Sequence, residues 1–222
     1  MYFEYSKKEI DYLCANDKTL GEAIRKIGQI CRPVDTELFS SVVHHIIGQQ
    51  ISTAAQATVW KRLNEALGEI TYDTIISSEI AALQKFGMTF RKAEYIKDFA
   101  HKVQSGEFDI EALHTKTDEE VITELSALKG IGVWTAEMIM IFCMQRPDVL
   151  SYGDLAIHRG LRMLYHHRDI DKKLFEKYRR RYSPYGTVAS LYIWAIAGGA
   201  ISGMRDYAPK KKVLKRGRKY DE

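Results

Sequence analysis

Residues Leu128–Ala136, with the sequence LKGIGVWTA, place two glycines on either side of one apolar residue. Apolar helical patterns run up to Leu128 and away from Thr135, so the Gly-x-Gly step has to reverse the chain in a very short turn. Glycine adopts positive φ without steric cost, and we therefore expect a backbone hairpin between two helices here. Such a hairpin leaves backbone N–H groups free at the start of the second helix, where they can bind an anion such as a phosphate.

A carboxylate follows the hairpin at Asp154, in the segment Tyr152-Gly153-Asp154 that precedes another apolar helical pattern. Asp is a preferred N-cap residue, so Asp154 can simply begin the next helix. It can also face a substrate held by the hairpin, where a carboxylate stabilises positive charge and orients or deprotonates water. The two roles are compatible, because a cap fixes the carboxylate in place.

Helical signals dominate the rest of the chain, and strand-like alternation is scarce. The spacing of Thr117 and Glu120 predicts a capping box. The pattern predicts an all-α fold with helices at residues 7–15, 20–28, 37–47, 53–67, 72–76, 78–83, 91–105, 110–113, 117–128, 135–144, 155–165, 172–182 and 186–198.

The charge of the chain is unevenly distributed. Its 33 Lys or Arg and 29 Asp or Glu residues give a formal net charge of only +4. Residues 205–222 hold eight basic residues against three acidic ones, which makes them a basic C-terminal tail. Such a tail attracts phosphate at low salt, and a mere solubility tail is an equally good interpretation. No apolar run approaches a membrane span and the N-terminus has no signal-peptide pattern, so we expect a soluble, cytoplasmic protein.

Three segments recur in the order seen in a known family: HIIGQQIS at His45–Ser52, the hairpin Leu128–Ala136, and residues Ser151–Gly160. Together they resemble the helix-hairpin-helix (HhH-GPD) DNA glycosylase superfamily, and most closely its 3-methyladenine DNA glycosylase II family. The resemblance implies a glycosylase domain at 1–204, in which two helical lobes, about 53–132 and 1–52 plus 133–204, flank a cleft. It also implies that the N-terminal β domain of longer relatives is missing, because the chain before Phe39 is too short to hold it.

The resemblance assigns the catalytic role to Asp154, whose carboxylate would stabilise an oxocarbenium-like sugar. Strand-cleaving members carry a nucleophilic lysine where this chain has Trp134, and an indole cannot form a Schiff base. The resemblance therefore implies a monofunctional glycosylase that flips alkylated purines such as 3-methyladenine and releases them by hydrolysis, without lyase activity. The indole face would attract the cationic base.

Further site residues follow from the same resemblance. Met138, one helical turn after Trp134, would bind the substrate base together with Gln49 and Trp194. Core packing remains the alternative for Trp134, Met138 and Trp194. Gln50 would fill the gap left by the flipped base, and a polar pair at a helix end is the alternative for Gln49 and Gln50.

Phosphate contacts are expected at two places. Gly130, Gly132 and Thr135 would hold phosphate through backbone N–H groups and a hydroxyl. Arg91 and Lys92 would contact the DNA backbone as well, although exposed helix charges are usually only solvated.

No cofactor is required by this chemistry. Family members bind a monovalent cation, Na⁺ or K⁺, with hairpin carbonyls, which match Ser126, Leu128 and Ile131 here. The three cysteines are far apart in sequence and lack the spacing of zinc or iron–sulfur ligands, so we expect no iron–sulfur cluster. The pairs His44–His45 and His166–His167 do not predict a metal site, because adjacent helical residues point in different directions.

The expected partner is double-stranded DNA that contains damaged bases. We expect the protein to bind it as a monomer and not to associate with a membrane. Two alternatives stay open at this point. The enzyme can act on another lesion, such as a deaminated or oxidised base. The chain can also be a non-enzymatic DNA-binding module that uses the hairpin alone.

Overall fold

The computed structural model describes residues 1–209, and within that range the chain forms twelve α-helices and one 3-10 helix. The α-helices are α1 Lys7–Asn16, α2 Lys18–Ile27, α3 Leu38–Gly48, α4 Thr53–Leu67, α5 Tyr72–Ser77, α6 Ile80–Lys85, α7 Phe90–Gln104, α8 Asp118–Ala127, α9 Val133–Phe142, α10 Leu155–Tyr165, α11 Lys172–Tyr182 and α12 Gly186–Ala197. The 3-10 helix spans Glu111–Thr115. The only β pairing in residues 1–209 is an isolated antiparallel bridge between Tyr2 and Pro33. The all-α expectation is confirmed.

Side-chain caps explain why several helices begin where they do. Thr117 caps α8, and the Glu120 side chain reaches back to the Thr117 backbone, so the predicted capping box is present. Asp17, Asp154 and Asp171 cap α2, α10 and α11 in the same manner. Each cap satisfies backbone N–H groups that have no partner inside their own helix.

Two separate apolar cores divide the chain. The first is built from Leu38 to Val149 and includes α3 and α9. The second combines α1 and α2 with residues that follow Leu150. The expected boundaries, near residues 53 and 133, are wrong, because they assign α3 and α9 to the second lobe. Both helices are apolar on several faces, and Ile46 and Ile139 are fully buried in the first core.

The two cores meet at one side chain of α12, and a glycine sets the packing of that helix. The indole of Trp194, on α12, packs against both of them. Within the second core, helices α10 and α12 meet at Gly160, where a Cβ would lie 2.3 Å from the carbonyl oxygen of Ile193. Only a glycine allows this close approach.

A buried carboxylate links the N-terminal helices to the end of the chain. Oδ1 of Asp17 accepts the Leu20 N–H at 2.9 Å, while Oδ2 accepts the Tyr165 hydroxyl at 2.7 Å and the Arg181 guanidinium at 2.6 Å. The aspartate is almost fully buried and fully hydrogen-bonded, which offsets the cost of removing its charge from water. It therefore holds α2 against α10 and α11.

Within residues 1–209, none of the helices has both the length and the apolar character that crossing a membrane requires. Most of the basic tail, residues 210–222, lies outside the described residues.

Candidate active site

The hairpin between α8 and α9 needs its two glycines for different reasons. Gly130 has a φ of 82°, and a Cβ on it would lie 2.3 Å from the ring of Tyr95. Gly132 has an ordinary φ of −101°, and a Cβ there would meet nothing within 4 Å. The expectation of a positive φ therefore holds for Gly130 only. Because Gly132 has no side chain, it leaves the backbone at the start of α9 uncovered.

The N-terminus of α9 is open to solvent. Gly132 is its N-cap residue and supplies no side-chain hydrogen bond, and Val133 and Trp134 are exposed. Unpaired N–H groups and the helix dipole together make this end a site for an anion. The Thr135 hydroxyl does not share this role. Thr135 is buried, and its hydroxyl meets the Gln49 side chain at 3.5 Å, because α3 packs against this face of α9.

Asp154 is fixed by three hydrogen bonds. Its Oδ1 caps α10 by accepting the N–H groups of Ala156 and Ile157 at 2.8 and 2.9 Å. Its Oδ2 accepts the indole Nε1–H of Trp134 at 2.9 Å. Asp154 as a residue is only 8% exposed, whereas Trp134 is 45% exposed. Capping and positioning are thus combined in one residue, as the sequence suggested they could be.

These two residues open onto a cleft of about 1120 Å³ that lies between the two cores. The five side chains expected to act on the base all line it, namely Gln49, Trp134, Met138, Asp154 and Trp194. Trp134, Met138 and Phe142 form one stripe along α9 at helical spacing. Ser41, His45 and Gly48 form a facing stripe along α3, the helix that packs on α9.

The two glutamines after α3 differ in how they are held. The Gln49 amide donates to the carbonyl of Gly130 at 2.6 Å, which ties the end of α3 to the hairpin. Gln50 is exposed at the rim of the cleft and has a φ of 58°, a left-handed conformation that is uncommon for a residue with a side chain. Ile51, its neighbour, is also exposed. The Gln49 side chain is therefore held by the hairpin, whereas the Gln50 side chain has no hydrogen bond to any described residue.

The two basic residues at the start of α7 also differ. The Lys92 ammonium donates to the carbonyls of Ile47 and Gln49 at 2.8 and 2.5 Å, so two of its three N–H groups close the end of α3. Burial lowers its pKa. The phosphate contact expected of Lys92 stays a prediction, for which only the third N–H of the ammonium remains. Arg91 is exposed, with its guanidinium 5.4 Å from the ring of Tyr95, the residue that backs the hairpin.

Sequence reasoning missed several residues that line the cleft. The rings of Phe142 and Trp194 are stacked with centroids 5.6 Å apart, and the Arg32 guanidinium lies 4.6 Å from the Phe142 ring. His44 and His45 line the cleft too. The histidine pairs His44–His45 and His166–His167 do not have the spacing of metal ligands. His45 stands four residues before Gln49, and that spacing could have placed it on the pocket face.

Several apolar side chains that adjoin Trp134 and Asp154 in sequence are exposed. Leu155, the residue after the catalytic candidate Asp154, is 85% exposed, and Tyr152 and Val133 are exposed beside it. An exposed leucine next to a buried carboxylate is unusual for a helix start. Exposed apolar side chains that lie together often mark an interaction surface.

The chain has been compared with known proteins. The family model described as HhH-GPD superfamily base excision DNA repair protein matches residues 43–184. DNA-3-methyladenine glycosylase 1 of Schizosaccharomyces pombe is 28% identical over 163 residues, which cover 71% of this chain and 72% of that protein. Other curated relatives are longer, and the chain spans 59% of one and 60% of another.

Solved structures give the same result. A DNA-3-methyladenine glycosidase from Bacillus halodurans matches with a TM-score of 0.80 and 36% identity, over 89% of this chain and 93% of that one. The S. pombe 3-methyladenine DNA glycosylase bound to abasic DNA matches with a TM-score of 0.73 and 25% identity, over 88% of this chain and 98% of that one. With the matched family model covering more than half of its residues, the chain belongs to the HhH-GPD superfamily of base excision DNA repair proteins.

Proposed function

We propose that this protein is a monofunctional DNA glycosylase that flips alkylated purines out of duplex DNA and releases them by hydrolysis. The observation that carries the proposal is the hydrogen bond from Trp134 to Asp154 at the mouth of the cleft, beside the open N-terminus of α9. One site thus offers an aromatic face, a fixed carboxylate and a place for a phosphate. The relatives named above act on 3-methyladenine, as their names state.

The geometry supports a simple sequence of steps. A backbone phosphate binds at the start of α9, and the flipped base enters the cleft against Trp134. A purine alkylated at N3 or N7 carries positive charge, which the indole face favours over a neutral base. The N-glycosidic bond then breaks, its electron pair goes to the base, and the base leaves as a neutral molecule.

The sugar that remains has oxocarbenium character, and the Asp154 carboxylate stabilises its positive charge. Water attacks the anomeric carbon and loses one proton to Asp154 or to solvent. Because alkylation has already weakened the bond, no strong general acid is needed. The product is an abasic site in an intact strand.

Hydrolysis without strand cleavage is supported by the side chains of the cleft. A lyase needs an amine that can attack the sugar. No lysine is found among the described residues that line the cleft. The nearest hairpin lysine, Lys129, pairs with Asp98 at 2.6 Å on the other side of the turn.

We also propose that a monovalent cation binds the backbone carbonyls of Ser126, Leu128 and Ile131, next to the bound phosphate. The Ser126 hydroxyl supports this assignment, since it is buried and has no hydrogen-bond partner among the described residues. A cation there would bridge the hairpin dipoles to the phosphate and would take no part in the bond cleavage. The reaction itself requires no other cofactor, and the protein would act as a monomer on damaged double-stranded DNA.

The decisive experiment is chromatographic analysis of the bases released from randomly methylated DNA. The wild-type protein should release 3-methyladenine and leave the strand intact before alkaline treatment. Asp154→Asn should bind an abasic analogue in duplex DNA but release no base. Asp171→Asn is the matched control, because Asp171 caps α11 through Oδ1 as Asp154 caps α10, yet lies outside the cleft.

Each other outcome has a clear meaning. Full turnover by Asp154→Asn would remove this carboxylate from the reaction. Wild-type protein that binds DNA and releases no base from methylated, deaminated or oxidised substrates would be a non-enzymatic binding module. Release from a deaminated or oxidised base alone would keep the enzyme class and change the lesion.

A further inference from the structure

His45 is a polar side chain on the α3 wall of the cleft, and the proposed reaction does not use it. It lies one helical turn before Gln49, on the stripe that faces Trp134 and Met138 of α9. Its ring is only partly exposed, and the open surface belongs to the cleft. A base that rests against Trp134 and reaches toward Met138 would bring its far edge to this ring.

The hydrogen bonding of His45 determines which ring nitrogen faces the base. Nδ1 lies 2.8 Å from the carbonyl oxygen of Ser41. A carbonyl oxygen only accepts, so Nδ1 carries the hydrogen. In the neutral ring, Nε2 then has a bare lone pair, and no described residue donates to it.

The surroundings favour the neutral ring. Burial lowers the pKa of His45, against the opposing effects of the Ser41 carbonyl and the Asp35 carboxylate. Burial and the proximity of His45 lower the pKa of His44 as well. A neutral imidazole also avoids placing a second positive charge next to a cationic base.

We propose that His45 selects purines with an amino group at C6, because its Nε2 accepts a hydrogen bond from that group. This inference rests on the proposed function and specifies its substrate. A 6-amino purine offers an N–H donor to Nε2. A 6-oxo purine would place a carbonyl lone pair against the Nε2 lone pair, so one of the two acceptors would be left buried and unpaired.

Two N3-methylated bases test the proposal, because both are cationic and differ in the group at C6. Randomly methylated DNA contains 3-methyladenine and 3-methylguanine, and the spontaneous release of each base in protein-free DNA provides the reference. The wild-type enzyme should accelerate 3-methyladenine release about tenfold more than 3-methylguanine release. Equal acceleration of the two would overturn the proposal.

Two substitutions separate the acceptor from the anchoring bond. His45→Asn keeps an N–H at the δ position for the Ser41 carbonyl but has no atom at the ε position. It should lose about tenfold in the ratio of 3-methyladenine to 3-methylguanine release. His45→Gln loses the anchor but places an amide oxygen at the ε position, and it should retain part of the preference.

The controls make each result decisive. His101→Asn, an exposed position on α7, should keep the wild-type ratio. A His45→Asn protein that keeps the wild-type ratio contradicts the proposal even if both rates fall. Should both variants fail to fold, the wild-type ratio still decides. Failure of the proposed function itself would be seen differently, as no enzymatic release of either base.

Discussion

The indole Nε1–H of Trp134 donates a 2.9 Å hydrogen bond to Oδ2 of Asp154. This bond fixes the position of the indole and of the carboxylate relative to each other. The first residue comes from the start of α9 and the second from the N-cap of α10. The bond joins the lobe that carries the hairpin to the lobe that carries the acid. Of the four acceptor sites of the carboxylate, one on Oδ2 remains without a described partner, and Asp154 lines the cleft.

Replacing Trp134 with Phe tests this relationship. The variant keeps an aromatic face but loses the donor, and a hydrogen bond to a charged group is worth about 1.5–3 kcal/mol. Because the ring is partly exposed, we expect the smaller end of that range, a loss of about tenfold in the single-turnover rate of base release. Affinity for abasic-analogue DNA should change little. An unchanged rate would mean that the indole N–H does not position Asp154.

The two hairpin glycines should respond to alanine in opposite ways. Gly130→Ala would force a side chain into a left-handed φ and into the ring of Tyr95, which should cost about 3 kcal/mol of folding stability. Gly132→Ala meets no neighbour and should change stability by less than about 1 kcal/mol. Its methyl group would partly cover the start of α9 and weaken DNA binding about tenfold.

Denaturant titration and fluorescence anisotropy with abasic-analogue DNA measure the two effects. The assignment of separate roles fails if Gly130→Ala is as stable as the wild type. It also fails if Gly132→Ala binds DNA as tightly as the wild type.

Arg91 and Lys92 are adjacent, and their substitutions should differ in the salt dependence of DNA binding. Arg91→Ala removes an exposed cation beside the hairpin, so the slope of log affinity against log salt should decrease by about one. Lys92→Ala should leave that slope unchanged, because its ammonium is bonded to the carbonyls of Ile47 and Gln49. Instead it should lower the melting temperature. Equal slopes for the two variants would show that neither residue, or both, contacts phosphate.

Stability should fall on the acid side because of the buried histidines. Burial lowers the pKa of His44 and His45 below the ordinary value of 6.5. As the pH falls through that value, the unfolded chain takes up protons that the folded protein does not, so the free energy of unfolding decreases. Above it these rings stay neutral in both states and contribute nothing to the pH dependence.

Melting curves between pH 7.5 and 5 measure this effect. His45→Asn should lose less stability over the range than the wild type, and the exposed control His101→Asn should follow the wild type. Part of the slope should remain in both, because burial also lowers the pKa of His167. Identical slopes for His45→Asn and the wild type would contradict the prediction.

The sequence predicted the helices well because their ends are marked by local chemistry. The predicted range 155–165 matches α10, and 172–182 matches α11, since Asp154 and Asp171 are caps that any reader of the chain can find. The two glycines predict the hairpin equally well. Interactions within a few residues of each other are the part of a fold that sequence patterns report.

What the sequence did not predict depends on contacts between distant segments. Thr135 and Lys92 were expected to face phosphate, but α3 packs beside both and engages their side chains. The spacing of His45 from Gln49 could place it on the pocket face, but the α9 wall of that pocket depends on the packing of α3 against α9, which no local pattern reveals. The boundaries between the lobes were misplaced for the same reason, because the hairpin looks like a boundary and α9 packs back onto the lobe before it.

The chain leaves the first core at Val149 and enters the second at Leu150, only a few residues before Asp154. Asp154 therefore lies where the two cores meet, and the direction of its carboxylate depends on how the two cores pack against each other. A substitution deep in either core can tilt that core slightly relative to the other. The carboxylate of Asp154 would then be displaced, although the free energy of unfolding would change little. The catalytic rate should consequently be more sensitive than the melting temperature to the alignment of the two cores. A substitution far from the cleft can therefore abolish activity without unfolding the protein.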